Sequence, residues 1–160
     1  MRKQKGFSLI ELLIVVAIIL IIAAIAIPNL LRSRMAANEA SAVGSVRTIN
    51  TAEVTYSAAY PDIGFTTTLS YLSGPTASCT GSGANSTQAC LIDNVLGNGT
   101  KSGYTFSLAG GAGSPNYTFT DNADPVNRGQ SGQRSFYSDQ TGVIRYDASA
   151  TATSSSNPLQ

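Results

Sequence analysis

The 160-residue sequence contains no histidine, no tryptophan and only two cysteines. Without histidine, Ser–His–Asp and Cys–His catalysis are excluded, as are histidine-ligated metal sites. Two cysteines are too few for a four-thiolate zinc site. Charged residues make up only 12% of the chain and the formal net charge is +1, which gives no general surface for nucleic acid. With no clustered catalytic residues elsewhere, we predict that the protein is not an enzyme, and its composition does not indicate nucleic acid as a partner.

The apolar residues are concentrated near the N-terminus. Leu12–Ile27 is a run of 16 consecutive apolar residues, and Glu11 is the only charged residue from Phe7 to Leu31. Three basic residues precede this run: Arg2, Lys3 and Lys5. A short basic start followed by a long apolar run is typical of membrane targeting, and it keeps the N-terminus in the cytoplasm.

Two simple interpretations of this segment are open. A cleavable secretory signal has a shorter apolar core, and residues 24–28 fit its cleavage site only weakly. A plain transmembrane anchor needs ~20 residues, which the run supplies. Glu11 does not fit a plain anchor, because a carboxylate in a membrane costs on the order of 3 kcal/mol and usually has a partner. No lysine or arginine lies one helical turn from Glu11 within the span. The alternative is that Glu11 lies near the lipid headgroups and is simply solvated.

The residues around Glu11 form a recognisable pattern. The segment Lys5-Gly6-Phe7-Ser8-Leu9-Ile10-Glu11 follows a basic leader and precedes the aliphatic run and Pro28. This pattern resembles the leader and cleavage site of type IV prepilins and of the related type II secretion pseudopilins, over residues 1 to about 31. The resemblance implies the pilin fold, in which a long N-terminal helix packs on an antiparallel β-sheet.

The resemblance also implies roles for individual residues. A prepilin peptidase would cut between Gly6 and Phe7, removing a six-residue leader, and would methylate the new amine of Phe7. Glycine suits a scissile backbone that enters a protease site in extended form. Glu11 would pair with the Phe7 amine of a neighbouring subunit, since each charge alone is costly in a low-dielectric bundle. Pro28 would kink or locally melt the helix, although an ordinary helix break there is the alternative.

The helical pattern resumes after Pro28. Residues 29–60 contain no proline and one glycine, and their apolar residues recur mostly three or four apart. We predict a transmembrane or filament-core half over residues 7–31 and an amphipathic half over residues 32–60, with Tyr56 and Tyr60 stacked on the domain. A straight helix of this length is ~80 Å long, so its first half must be buried in lipid or in other copies of itself.

The remainder of the chain predicts an antiparallel sheet and a tail. Alternating segments occur at residues 104–108, 116–120, 134–138 and 143–146. Short connections favour a meander of three to four strands within residues 104–147, covered by the amphipathic helix. The fold class is therefore α+β. The Ser/Thr-rich residues 148–160 predict a flexible tail.

Residues 61–103 read as an irregular loop that contains both cysteines. A Cys79–Cys90 disulfide is expected because the chain is exported to an oxidising compartment, with free thiols as the alternative. Asp121, Asp124 and Asp139 are weak calcium candidates, because calcium needs six to eight oxygen ligands and these residues lack a recognisable ligand spacing. Solvated turn aspartates are the favoured interpretation, and no cofactor is predicted.

The function implied by the resemblance is structural. The chain is expected to be a single-pass precursor in the bacterial inner membrane and then a subunit of an extracellular pilus for adhesion, motility or DNA uptake. Its partners would be other copies of itself, the prepilin peptidase, the inner-membrane assembly machinery and, before assembly, membrane lipid. A pseudopilin of a periplasmic type II secretion pseudopilus is the main alternative. A minor priming pilin and a membrane-anchored enzyme or solute-binding domain are the others.

Overall fold

A computed structural model of the chain describes residues 6–75, 79–80 and 83–159. The leader positions Arg2, Lys3 and Lys5 lie outside the described residues. The chain divides into two compact units, Met1–Arg34 and Met35–Gln160, called the N-terminal unit and the C-terminal domain below.

Helix α1 spans Leu9–Ala59 and contributes to both units. Within the C-terminal domain its buried apolar residues recur three or four positions apart, which places them on one helical face. These residues are Ala42, Val46, Ile49, Ala52 and Tyr56. The helix ends immediately before Tyr60 and Pro61, because proline disfavours a helical conformation in the residue that precedes it.

In the described part of the chain, six strands form one antiparallel sheet in sequence order. The strands are β1 Thr100–Lys101, β2 Tyr104–Gly110, β3 Phe119–Pro125, β4 Ser135–Asp139, β5 Arg145–Asp147 and β6 Asn157–Pro158. The predicted α+β fold, a long N-terminal helix with an antiparallel meander, is confirmed. The expected number of strands, three to four, was too low because the two-residue edge strands β1 and β6 are too short to show alternation.

Strand β3 begins later than the segment predicted at residues 116–120. The Asn116 backbone is bonded elsewhere: its N–H donates to the Ile63 carbonyl at 2.7 Å, and its carbonyl accepts from the Phe65 N–H at 2.8 Å. The strand instead continues to Pro125, and its whole length pairs with β2. Tertiary backbone bonds, which are not local in sequence, therefore set where this strand starts.

The core of the C-terminal domain lies between α1 and the sheet. Its largest fully buried apolar side chains come from the helix, the loop and the strands: Tyr56, Ile49, Leu72, Leu96, Tyr104, Phe119 and Phe136. Tyr56 is buried in this core and Tyr60 packs against it, which confirms the prediction that both tyrosines lie on the domain, and their two rings are tilted with centroids 4.8 Å apart. This core fixes the register between the buried face of α1 and strands β2 to β4.

In the segment predicted as an irregular loop over residues 61–103, the described residues include two short helices, α2 Leu69–Leu72 and α3 Asn94–Gly97, besides β1. Asp93 caps α3, since its Oδ1 accepts a hydrogen bond from the Leu96 N–H at 2.9 Å. Helices of this length have little stability of their own. They are held by burial of Leu69, Leu72 and Leu96.

Cys79 and Cys90 form a disulfide, as expected, with Cα atoms 5.6 Å apart. Gly74 packs directly on the bridge, because a Cβ at this position would lie 2.9 Å from the Cys90 Sγ and 3.0 Å from the Cys79 Sγ. The bridge therefore ties its loop to the segment that follows α2.

Replacing both cysteines by serine is expected to lower the free energy of unfolding by about 3 kcal/mol, because the unfolded chain regains the freedom of a loop with sequence separation 11. The melting temperature of the full chain in detergent should fall by roughly 10 °C, measured by near-UV circular dichroism. Reducing the wild type should produce the same loss and should leave the double variant unchanged. Equal melting temperatures for all samples would contradict the prediction.

The C-terminal residues are not the flexible tail that their composition predicts. β6 pairs with β5, and the Leu159 N–H donates to the Ile144 carbonyl at 2.8 Å. Ala152 is buried, and its carbonyl accepts from the Asn122 Nδ2 at 2.8 Å. Hydrogen bonds of the backbone hold this segment in place. Its Ser/Thr-rich composition, which lacks large apolar side chains, therefore wrongly predicted flexibility.

Candidate functional site

The predicted cleavage site lies just before helix α1. Gly6, Phe7 and Ser8 are outside the helix and exposed, and Phe7 exposes 87% of its surface. A Cβ on Gly6 would meet nothing within 4 Å. No contact within the fold therefore requires glycine at this position. A requirement for glycine would come from a partner that binds the Gly6–Phe7 peptide.

Glu11 has a partner that sequence analysis missed. Its Oε2 accepts a hydrogen bond from the Ser8 N–H at 2.8 Å, and the Ser8 carbonyl accepts from the Leu12 N–H at the first turn of α1. Ser8 and Glu11 thus hold the N-cap and third helical positions, and the glutamate makes its half of a capping box. The Ser-x-x-Glu spacing in the sequence was the available signal. This donor is neutral, so the negative charge of Glu11 has no counterion in this contact.

The aliphatic side chains of the N-terminal unit are exposed. We call the following residues the N-terminal apolar surface: Leu9, Leu12, Leu13, Val16, Ala17 and Leu20. They line one shallow groove along α1, and the large aliphatic residues on the other sides of the helix are exposed as well. The helix is long and apolar enough to cross a membrane. Apolar surface of this extent must be covered by lipid or by another apolar surface.

Pro28 lies inside α1 and does not end it. Proline has no N–H, so the Ala24 carbonyl lacks its usual partner four residues along the helix. The interpretation of Pro28 as an ordinary helix break is therefore wrong for this structure. The predicted role of Pro28 as a kink stays a prediction.

The three aspartates considered for calcium do not lie together. Asp121 is on the core face of β3, whereas Asp124 is on its other face. Asp139 lies on β4, where its register partner on β3 is Thr120. The Asp139 Oδ1 accepts hydrogen bonds from the N–H and the hydroxyl of Thr141. Among the described residues, no group of three or more acidic, cysteine or histidine side chains is placed to hold a metal ion.

Glu39 makes a polar contact between α1 and the segment that leads into β4, which sequence analysis did not reveal. Its Oε1 accepts from the N–H groups of Gln133 at 2.8 Å and Arg134 at 3.1 Å, and its Oε2 accepts from the Arg134 Nε at 2.8 Å. Burial raises the pKa of Glu39, but these hydrogen bonds outweigh it and hold the pKa below its usual value. The Arg134 guanidinium also lies over the Phe136 and Tyr146 rings.

Comparison with known proteins places the N-terminal segment in a recognised class. Residues 1–27 match the model of the prokaryotic N-terminal methylation motif. No solved structure matches the chain at a significant level. The motif match covers the predicted leader, the cleavage site, Glu11 and the apolar run.

Two curated proteins are similar to part of the chain. The type IV wide pilus major component PilA4 of Thermus thermophilus is 67% identical over 39 residues, 24% of this chain and 30% of that protein. The type IV major pilin protein PilA of Myxococcus xanthus is 43% identical over 54 residues, 34% of this chain and 24% of that protein. The matched segments span less than a third of either relative. They confirm the resemblance to type IV pilins.

Proposed function

We propose that this chain is the structural subunit of a type IV pilus and polymerises into a helical surface filament that serves adhesion, motility or DNA uptake. The observation that carries the proposal is the N-terminal apolar surface, which stands uncovered beside a methylation motif. Copies of the chain can cover this surface for one another. Repeated head-to-tail contact of one surface with another produces an open helical polymer when the rotation between neighbouring copies does not close into a ring.

Before assembly, the same helix holds the precursor in the inner membrane. The basic leader keeps the N-terminus in the cytoplasm, and the C-terminal domain is exported. Assembly then exchanges lipid contacts for helix–helix contacts, in which small residues such as Ala17, Ala23 and Ala24 permit close approach. The proposed partners are the prepilin peptidase and the inner-membrane assembly machinery. The proposal invokes no cofactor.

Processing supplies the charge that Glu11 lacks. Hydrolysis of the Gly6–Phe7 peptide releases the leader with a new carboxylate on Gly6 and leaves an ammonium group on Phe7. Methylation keeps that amine cationic. In the proposed filament the Phe7 amine of one subunit pairs with Glu11 of its neighbour, which makes burial of both charges tolerable. Unprocessed subunits lack this amine and therefore should not assemble.

Mass spectrometry of sheared surface material, combined with electron microscopy of the cells, tests the proposed function. We expect long surface fibres whose main component begins at N-methylated Phe7. A short periplasmic polymer with no surface fibres would support the pseudopilin alternative. Fibres built from chains that retain Met1 would contradict the proposal, and scarce copies within fibres of another protein would indicate a minor pilin.

Gly6→Val is expected to block leader removal, because a branched side chain at the scissile position hinders the extended backbone from entering the peptidase. The fraction of mature chain, read from immunoblots of membranes, should fall by at least about tenfold, which corresponds to a loss of ~1.4 kcal/mol. Gly44→Ala is a matched control, since Gly44 also has nothing within 4 Å of an added Cβ. Normal processing of the Gly6→Val chain would disprove this role of Gly6.

A further inference from the structure

Asp121 is a buried acid that has no hydrogen-bond partner among the described residues. It lies on the core face of β3, where its register neighbours are Leu108 on β2 and Ser138 on β4. The residue has no exposed surface, and within the described part of the chain neither carboxyl oxygen accepts a hydrogen bond. A carboxylate in this position would be a desolvated charge with nothing to balance it.

Helix α1 places two more polar groups above this point. The Asn50 Nδ2 donates to the Ser138 Oγ at 2.8 Å, which locates this turn of α1 over the neighbour of Asp121. Glu53 follows three residues later on the same helical face and is fully buried. Its Oε2 accepts from the Thr66 N–H at 3.0 Å. Among the described residues, Glu53 Oε1 and Asn50 Oδ1 have no partner.

The unpartnered atoms of this cluster are all hydrogen-bond acceptors. They are Asn50 Oδ1, Glu53 Oε1 and both oxygens of Asp121. Ionised carboxylates can only accept, whereas a protonated carboxyl also donates. Protonation of the two acids would supply the missing hydrogen-bond donors without any further group. It would also remove the buried negative charge.

We propose that Glu53 and Asp121 form a buried acid pair that keeps at least one proton at neutral pH and thereby locks helix α1 onto the sheet. This inference does not depend on the proposed function. When the pair ionises, its protons pass to bulk water and two like charges remain in the core. The lock is then weakened, so the stability of the C-terminal domain falls as the pH rises.

Among the described residues, no cation lowers the pKa of either acid of the pair. On α1, Tyr56 donates its hydroxyl to the Ser86 carbonyl. The segment containing Thr66 contributes its N–H, and β2 and β4 contribute the uncharged Leu108 and Ser138. Tyr71 of α2 lies near Tyr56. Arg134 pairs with Glu39, and the Arg145 guanidinium donates to the Ser156 carbonyl, so neither contact involves the acid pair.

The electrostatic effects agree with this geometry. Burial raises the pKa of Glu53 to about 7 although the Thr66 hydrogen bond lowers it. Burial, followed by the charge of Glu53, raises the pKa of Asp121 well above its usual value. The folded domain therefore binds more protons than the unfolded chain between the unfolded pKa of Glu53, 4.5, and about 7. Stability is greatest at the low end of this window and is lost as the pH rises through it.

Thermal unfolding of the full chain in detergent, measured at roughly pH 5 and pH 8, tests the proposal. All seven tyrosines lie from Tyr56 onward, so near-UV circular dichroism reports on the C-terminal domain. We expect the wild-type melting temperature to be lower at the higher pH by roughly 5–10 °C. Asp62→Asn, which neutralises an exposed acid, should show the same loss.

Two variants isolate the acid pair. Asp121→Asn supplies amide donors in place of the carboxyl proton and should reduce the pH-dependent loss to less than half. The double variant Asp121→Asn with Glu53→Gln should remove the loss completely. A wild type whose melting temperature is equal at both pH values, or a double variant that keeps the full loss, would overturn the proposal.

Infrared spectroscopy of the wild type provides a test that does not require the variants to fold. At neutral pH we expect the C=O stretch of a protonated carboxyl, shielded from rapid exchange in D₂O. Absence of this band would overturn the proposal. A band that disappears on adding calcium, with a rise in melting temperature, would show that the acids bind a cation instead and would also overturn it.

Discussion

Glu11→Ala subunits are expected to enter the membrane and lose their leader but to form almost no filaments. In the proposed filament, this variant would leave the Phe7 ammonium of each neighbour without a counterion in a low-dielectric core. Removing one partner of a buried ion pair costs about 3–5 kcal/mol, which corresponds to a loss of roughly a hundredfold or more for each contact. Sheared filament yield and electron microscopy measure the effect, and the ratio of mature chain to precursor in membranes checks that processing is intact.

Glu11→Gln separates the two contacts that Glu11 can make. Glutamine can still accept from the Ser8 N–H, because it serves as well as glutamate at this position of a capping box. It has no charge to pair with the Phe7 amine. If charge pairing drives assembly, glutamine will lose filaments as alanine does. Normal filaments from the glutamine variant would mean that the helix cap, rather than the charge, is what assembly requires.

Phe136→Ala is expected to lower the free energy of unfolding of the C-terminal domain by about 3–5 kcal/mol. Phe136 is fully buried on β4, its ring centroid lies 6.0 Å from that of Tyr104, and the Arg134 guanidinium covers it at 5.6 Å. The truncation leaves a cavity in the middle of the sheet and also removes the surface on which Arg134 rests. Urea or thermal unfolding of the full chain in detergent gives the change.

Tyr117→Ala is the control for this prediction. Tyr117 is also aromatic, but 74% of its surface is exposed, so its loss should change the unfolding free energy by less than about 0.5 kcal/mol. Similar destabilisation by both substitutions would show that Phe136 does not have the packing described above. Filament yield should follow the same order, because poorly folded subunits are removed before assembly.

The local sequence pattern was sufficient to predict the helices and strands that bury apolar side chains at a regular spacing. Helix α1 and strands β2, β4 and β5 lie in or close to the predicted segments, because each of them presents an apolar face to the same core. The capping box was also predictable, because the Ser8-x-x-Glu11 spacing is its sequence signature. The predicted processing and pairing of Phe7 stay predictions.

Features that depend on distant partners were not predictable from local pattern. Glu39 is a buried acid only because Gln133 and Arg134, more than 90 residues later, supply its donors. The order of the C-terminal segment comes from backbone pairing with β5. Asp121 did leave a signal, since it alternates with Phe119 and Ala123 on the apolar face of a strand. A carboxyl at such a position indicates a buried acid rather than the solvated turn residue that was favoured from the sequence.

The edges of the sheet have a consequence for how copies of this chain associate. β1 and β6 are each two residues long, and Pro158 in β6 has no N–H to offer an incoming strand. Edges of this kind give little template for amyloid-like strand addition, which is a hazard for any protein held at high local concentration. If subunits assemble as proposed, these edges disfavour β-aggregation at high local concentration, and contacts between helices remain the route of growth.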